Sequence, residues 1–225
     1  MIPSEIITDA ESHTSASKEI RTSLRKAGYK LLGSGVDATV WAKKSGPVIK
    51  IIMPDDKMGA GQAGDTFMKF YEFCKENSSI ENLPRFSHNE VDVFDADGKQ
   101  YIMATMERLS PIPNGSFQEA MVWFLSDYAT KKMTWNKVVQ DLKNEQNWIN
   151  YTSESWASDP LEMMLRFDSL DKRNLLEYEV LYKLMVLLWH KGNINKMGWD
   201  LHTENAMMRN NTIVITDPWF NIRLE

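Results

Sequence analysis

GWDLHTENAMMRNNTIVITDPW, residues 198–219, places Asp200 five positions before Asn205 and a second carboxylate, Asp217, twelve positions after it at the end of a β-branched run. Two carboxylates and one amide in this spacing suit phosphoryl transfer from ATP. That reaction asks the protein to hold the phosphates, neutralise their charge with Mg²⁺ and aim an acceptor hydroxyl in line. One short loop then does two jobs: Asp200 accepts the hydroxyl proton and the Asn205 amide oxygen ligates metal. Asp217 chelates the metal between the phosphates. Oxygen-only ligands suit Mg²⁺, a hard cation.

Upstream of this stretch the pattern is helical. A long helix is expected over about Leu170–His190, stopping at Gly192, with Asp159 and Pro160 as N-cap and first residue of the helix before it. One helix is expected from Trp135 to Tyr151. Another opens on a capping box, Ser116 and Glu119, with Phe117, Met121, Phe124, Leu125 and Tyr128 as its buried stripe. SPIPNG (110–115) breaks the chain, and before it the period becomes that of strands. NEVDVFDADGKQYIMATMERL reads as a hairpin around an Asp-Gly turn. DTFMKFYEFCKEN is a helix with Phe67, Phe70, Tyr71 and Cys74 on one face, and residues 54–64 before it read as a loop. YKLLGSGVDATVWAKKSGPVIKIIM holds two strands around a glycine turn and then a third. A short helix with Ile20 and Leu24 inward and Gly28 as C-cap precedes them.

The expected organisation is a polar tail over 1–15, a β-rich N-lobe over 16–109 and a helical C-lobe over 110–225, an α+β arrangement with a cleft between lobes. With 225 residues, 43% hydrophobic and 25% charged, the composition is that of an ordinary globular protein. A net charge of −5 gives no general attraction to nucleic acid, although a local basic patch is compatible with it. The single cysteine, Cys74, forms no internal disulfide and fits a reducing compartment. No signal peptide or membrane span is legible, so a cytoplasmic protein is expected.

The order glycine loop, strand lysine, Asp-x-x-x-x-Asn, Asp resembles the protein-kinase-like superfamily. GSGVDATVW resembles its glycine-rich loop, VIKI its strand lysine, DLHTEN its catalytic loop, and ITDPW stands where its metal-binding Asp-Phe-Gly falls. The resemblance implies a bilobal protein-kinase-like fold, with a β-rich N-lobe carrying one main helix and a helical, C-terminally truncated C-lobe. It implies ATP and Mg²⁺. Gly33, Ser34, Gly35, Val36 and Val40 would cradle the nucleotide. Lys50 would contact the phosphates, and either Glu72 or Asp65 on the following helix would be its acidic partner. Backbone groups from Glu107 to Leu109 would meet adenine, with Met106 guarding the pocket behind it. Asp200 and His202 would join Lys50 in catalysis, and Asn205 and Asp217 would hold metal. Gly33 and Gly35 also suit a plain hairpin turn with positive φ, and His202 a structural loop position.

AGYKLLGSGVDATVW…VIKI and the D-L-H…ITDP pattern, about residues 27–53 and 198–220, also resemble the early serine/threonine kinases of T-seven-like podoviral bacteriophages. That likeness implies phosphorylation of host bacterial proteins, and of the kinase itself, in the host cytoplasm. From Asp141 to Glu179 nine acidic residues stand against four basic ones. On this reading they would steer basic, nucleic-acid-binding host substrates; direct nucleic-acid or membrane binding is not expected. The departures open other classes. Gly198-Trp-Asp replaces His-Arg-Asp, Pro218-Trp219 replaces Phe-Gly, Ala38 replaces the third loop glycine, and only eight residues follow Asp217, too few for a usual activation loop. D-L-H also resembles small-molecule kinases of the aminoglycoside and choline type. A kinase-shaped binding protein without chemistry is the third class.

Overall fold

The computed structural model describes residues 18–35, 38–52, 62–87, 91–96, 99–152 and 159–221. The expected tail, Val36, most of the 54–64 loop and the Asp97-Gly98 turn lie outside them. The chain forms two compact units, one of Met1–Ser78 with Pro84–Arg108 and one of Ser79–Leu83 with Leu109–Glu225. The order of elements is that of a bilobal, protein-kinase-like α+β fold, a β-rich unit with one main helix followed by a helical unit.

The first unit runs α1 (Lys18–Lys26), β1 (Lys30–Ser34), β2 (Ala38–Ala42), β3 (Val48–Ile52), α2 (Gln62–Glu76), β4 (Asp92–Ala96) and β5 (Lys99–Met106). Its strands form one antiparallel sheet in the order β1-β2-β3-β5-β4. All five residues of β3 are buried because a helix covers each face of the sheet. Ile49 and Ile51 pack with Trp41, Tyr101 and the α1 residue Ile20; on the other face Ile52 and Ala104 pack with Phe67 and Tyr71 of α2. α1 ends as its sequence predicts: Gly28 takes φ +85°, and Tyr29 N–H donates to the Leu24 carbonyl at 2.9 Å.

The second unit contains β6 (Ser110–Pro111), α3 (Phe117–Thr130), α4 (Trp135–Leu142), α5 (Glu145–Thr152), α6 (Pro160–Asp168), α7 (Lys172–Ile194), β7 (Met197–Trp199), a 3₁₀ turn at Thr203–Asn205, β8 (Ala206–Arg209), β9 (Thr212–Ile215) and β10 (Trp219–Asn221). β6, β8 and β9 form one small sheet, β7 and β10 another. α3 packs on α7 and buries its whole expected stripe. Ser116 Oγ accepts from Glu119 N–H, while the Glu119 carboxylate reaches back to the Gly115 N–H.

Two helix expectations need correction. The single helix over 135–151 is two helices, because the Trp148 indole and the Asn147 amide bind the Leu142 and Asp141 carbonyls at the end of α4, while the Asn144 side chain accepts from Gln146 N–H at the start of α5. α7 does not stop at Gly192 but continues to Ile194. Gly192 is a notch: a Cβ there would meet the Trp219 indole at 2.9 Å. Ser79–Leu83 joins the second unit through specific bonds. Asn82 Nδ2 donates to the Ile213 carbonyl at 2.8 Å, Ile215 N–H donates to the Asn82 carbonyl, and Arg209 donates to the carbonyls of Glu81 and Leu83. No helix among the described residues is long and apolar enough to cross a membrane.

Candidate active site

In the first unit the glycine stretch joins two paired strands, with Gly33 opposite Val40 and Ser34 opposite Thr39. Neither Gly33 nor Gly35 has positive φ, so turn strain does not explain them. A Cβ on Gly33 would meet nothing within 4 Å, and one on Gly35 only the Ala38 carbonyl at 3.9 Å. The backbone here is therefore open to close approach. Val36 lies outside the described residues.

Lys50 sits mid-β3 between Val40 and Ala104, on the α2 side of the sheet. It is 9% exposed, and its Nζ lies 5.3 Å from the Phe67 ring centroid, an arrangement that steadies a desolvated ammonium. The two acidic partners weighed for it face elsewhere. Glu72 is exposed on α2, and Asp65 pairs with Lys69 at 2.6 Å. The face of α2 turned to the sheet is apolar, with Phe67, Phe70, Tyr71 and Cys74 buried. Burial pushes the Cys74 thiol well above its ordinary range, so it stays protonated. After β5, Glu107 N–H donates to the Arg85 carbonyl at 2.8 Å and its carboxylate accepts from Arg85 N–H at 2.7 Å. That amide is thus engaged within the protein. Met106 is buried, and Leu109, half-buried, begins the second unit.

In the second unit Asp200, His202, Asn205 and the Asp217 segment are tied together. Asp200 N–H donates to the Pro218 carbonyl at 2.9 Å, and Thr216 N–H donates to the Asn205 carbonyl at 2.8 Å. These two bonds bracket Asp217, so the loop with the first carboxylate positions the second. Asn205 Nδ2 lies 2.6 Å from the Asp200 carbonyl and 3.1 Å from Asp200 Oδ2. Both neighbours are acceptors, which fixes the amide nitrogen inward and leaves Oδ1 as the outward end. His202 Nδ1 accepts from Glu204 N–H at 3.3 Å and caps the 3₁₀ turn. His202 Nε2 lies 3.7 Å from Asp200 Oδ1. Asn205 Nδ2 also lies 3.1 Å from His202 Nε2, so amide, imidazole and carboxylate are in mutual contact.

The surroundings explain the unusual neighbours. Gly198 pairs with Phe220 across β7–β10, and the Phe220 ring occupies the space a Cβ would need, so no histidine fits at that position without moving the ring. Trp219 is 5% exposed and donates its indole N–H to the Leu188 carbonyl at 2.9 Å, fixing the chain just after Asp217. Three contacts escape the sequence. Ser126 Oγ donates to the Leu201 carbonyl at 3.0 Å and accepts from the Trp199 indole at 2.9 Å, tying the loop to α3. The Trp123 ring stacks with His202, centroids 6.4 Å apart. Trp123 was the one α3 aromatic off the buried stripe, which is the signal that could have found it.

Mg²⁺ fits this donor set: a hard cation would have the Asp217 carboxylate and the outward Asn205 Oδ1, both oxygens. Among the described residues no group of three His, Cys, Asp or Glu could hold a metal. An ion here therefore needs oxygens from elsewhere, as phosphates would provide.

No family model matches the chain, and no curated protein matches it. Similar solved structures include three small-molecule phosphotransferases. The streptomycin–ATP complex of APH(2″)-IIa has 14% identity and a TM-score of 0.32, over 92% of this chain and 73% of that one. ADP-bound aminoglycoside phosphotransferase APH(2″)-Ib has 14% identity and a TM-score of 0.36, over 91% and 72%. Spectinomycin phosphotransferase APH(9)-Ia, with ADP and spectinomycin, has 12% identity and a TM-score of 0.36, over 91% and 69%. Likenesses this distant lend no residue roles to this chain. They do correct the resemblance drawn from the sequence: the structures found are antibiotic phosphotransferases, not early phage serine/threonine kinases acting on host proteins.

The acidic stretch behind the host-protein reading is largely occupied within the unit. Asp141 binds Lys137 and the Tyr128 hydroxyl; Asp168, Glu177 and Glu179 pair with Lys143, Arg173 and Lys183. Asp159 and Asp171 cap α6 and α7. Six of the nine carboxylates therefore have a role within the unit, at helix ends or in ion pairs.

Proposed function

We propose that the chain transfers the γ-phosphoryl group of ATP to a hydroxyl of a small molecule. The acceptor oxygen bonds to the γ-phosphorus, the bond to the bridging β–γ oxygen breaks, and ADP leaves. The acceptor proton goes to an Asp200 carboxylate oxygen. Asn205 keeps Asp200 in place through its amide nitrogen. Bound Mg²⁺, held by Asn205 Oδ1 and Asp217, would neutralise developing phosphate charge. Lys50 and the open backbone at Gly33–Gly35 are read as the phosphate-binding groups, and the Glu107–Leu109 segment as the adenine contact.

The observation that carries this reading is the pair of backbone bonds around Asp217 together with the inward turn of the Asn205 amide. A small acceptor is favoured by the locked chain after Asp217. Protein kinases switch by ordering a mobile segment there, whereas here Trp219 is buried and β10 is paired to β7. The test incubates the chain with Mg²⁺ and γ-labelled ATP, adding a protein-free metabolite extract or, separately, streptomycin and spectinomycin. Label in a small molecule is the expected result. ATP left intact with every acceptor, and no thermal shift on adding Mg-ATP, would overturn it.

A further inference from the structure

We infer that the Lys30 end of the first unit is a docking surface for the phosphodiester backbone of nucleic acid. Residues 18–52 contain eight Lys or Arg against two acids, Glu19 and Asp37, in a chain whose net charge is −5. The fold gathers five of the unit's cations at one place. Lys30 lies opposite Ala42 in the β1–β2 pair, which sets it beside Lys43. Lys43 Nζ stands 4.8 Å from the Tyr29 ring centroid. The Arg108 guanidinium donates to the carbonyls of Lys43 and Lys44 at 2.8 and 3.0 Å and so fixes the turn that carries both lysines. Lys26 is the last residue of α1, and the Gly28 cap turns the chain directly into Tyr29 and Lys30.

All five side chains are exposed, and among the described residues no carboxylate pairs with Lys26, Lys30, Lys43 or Lys44. In the acidic stretch of the second unit, by contrast, four of the nine carboxylates form ion pairs and two more cap helices. Uncompensated like charges held close repel one another, and a polyanion relieves that repulsion. The global charge, which argues against nucleic acid, averages over this asymmetry. The patch is separate from the candidate phosphate loop: Lys30 and Ala42 mark one end of the β1–β2 hairpin, Ser34 and Thr39 the other. An anionic membrane is the less suitable partner. Tyr29 is half-buried beneath Lys43, and Leu32 is the one large apolar side chain exposed on β1, so little apolar surface is available to enter a bilayer.

The test is anisotropy of a labelled short single-stranded RNA, and of a DNA duplex of the same sequence, titrated with the full chain. Neutralising four to five phosphates predicts an RNA affinity that falls about 50- to 130-fold between about 50 and 200 mM salt. Lys30→Glu with Lys44→Glu should abolish binding at the lower salt, while Lys172→Glu, on α7, leaves it unchanged; circular dichroism confirms that both variants fold. Binding of either nucleic acid with this pattern supports the inference, and the two arms tell RNA from DNA. No binding at the lower salt, equal loss in both variants, or binding only to phosphatidylserine vesicles would overturn it.

Discussion

The two units hold their candidate residues by different means. In the first, Lys50 and the glycine stretch rest on a sheet whose central strand is buried on both faces by apolar side chains of α1 and α2. One backbone bond, Gly35 N–H to the Ala38 carbonyl at 2.8 Å, ties the glycine stretch, and the acids expected to orient Lys50 point elsewhere. In the second, Asp200, Asn205 and the Asp217 segment are fixed by hydrogen bonds that also reach α3 and α7. Apolar packing gives a strong but non-directional scaffold. Directional bonds fix a carboxylate to within the fraction of an ångström that chemistry requires. The sharpest experiments therefore separate stability, expected to dominate in the first unit, from turnover, expected to dominate in the second.

The largest effect is expected at Asp200. Asp200→Asn keeps the shape and the bond from Asn205 but cannot accept the acceptor's proton. Turnover should fall roughly 10²- to 10⁴-fold with the melting temperature unchanged. Steady-state kinetics checks this, and wild-type turnover in the variant would remove Asp200 as base. Its counterpart in the first unit is Trp41, fully buried with its indole N–H on Thr39 Oγ1 at 3.0 Å. Trp41→Ala should cost about 3–5 kcal/mol in urea unfolding. A cost near zero would mean that the sheet's α1 face is not the core described here.

How much of this was legible follows the same division. Elements with a local period were readable: the α3 stripe, the Gly28 cap, the β1–β3 run and the Asp159-Pro160 start of α6 all appear where the pattern puts them. What the pattern missed depends on residues far along the chain. Gly192 looks like a helix stop, yet it is a notch for Trp219, 27 positions later. The break at Asn144 depends on side chains that cap two helix ends. β10 is too short for a period to show. In the site, the loop motif is sequence-local and so visible, while the Ser126 tie and the Trp123 stack link α3 to residues more than 70 positions on. Glu72 and Asp65 both follow on a helix, and only burial shows that the sheet-facing side of that helix is apolar.

Ser126 offers a smaller and more diagnostic effect. Ser126→Ala leaves the Leu201 carbonyl and the Trp199 indole without their shared partner, so it should cost about 1–3 kcal/mol. If the tie also aims Asp200, kcat should fall while the affinity for ATP, read by calorimetry, stays constant. A pure stability loss with unchanged kcat would confine Ser126 to packing, and the second unit would then resemble the first.

The smallest effect lies in alkaline solution. Tyr178 is pushed up from 10 to about 12, chiefly by burial; Glu177 adds to the shift and Arg166 opposes it. Its folded pKa is raised, so the stability it contributes is fully present below about pH 10 and is lost as pH rises toward 12. In that window the unfolded chain releases the phenolic proton and the folded chain retains it. Cys74 in the first unit is raised by burial alone and works in the same direction, beginning near pH 9. Urea unfolding followed from pH 8 to 11 should show a falling stability, and Tyr178→Phe should flatten it by about 1 kcal/mol at pH 11. Cys74→Ala should remove the part that starts lower. Tyr178 also makes an edge contact with the Phe117 ring at 5.9 Å, which phenylalanine preserves. The substitution therefore tests the proton and not the packing, and an unaltered pH profile would mean that the hydroxyl is better solvated than its burial implies.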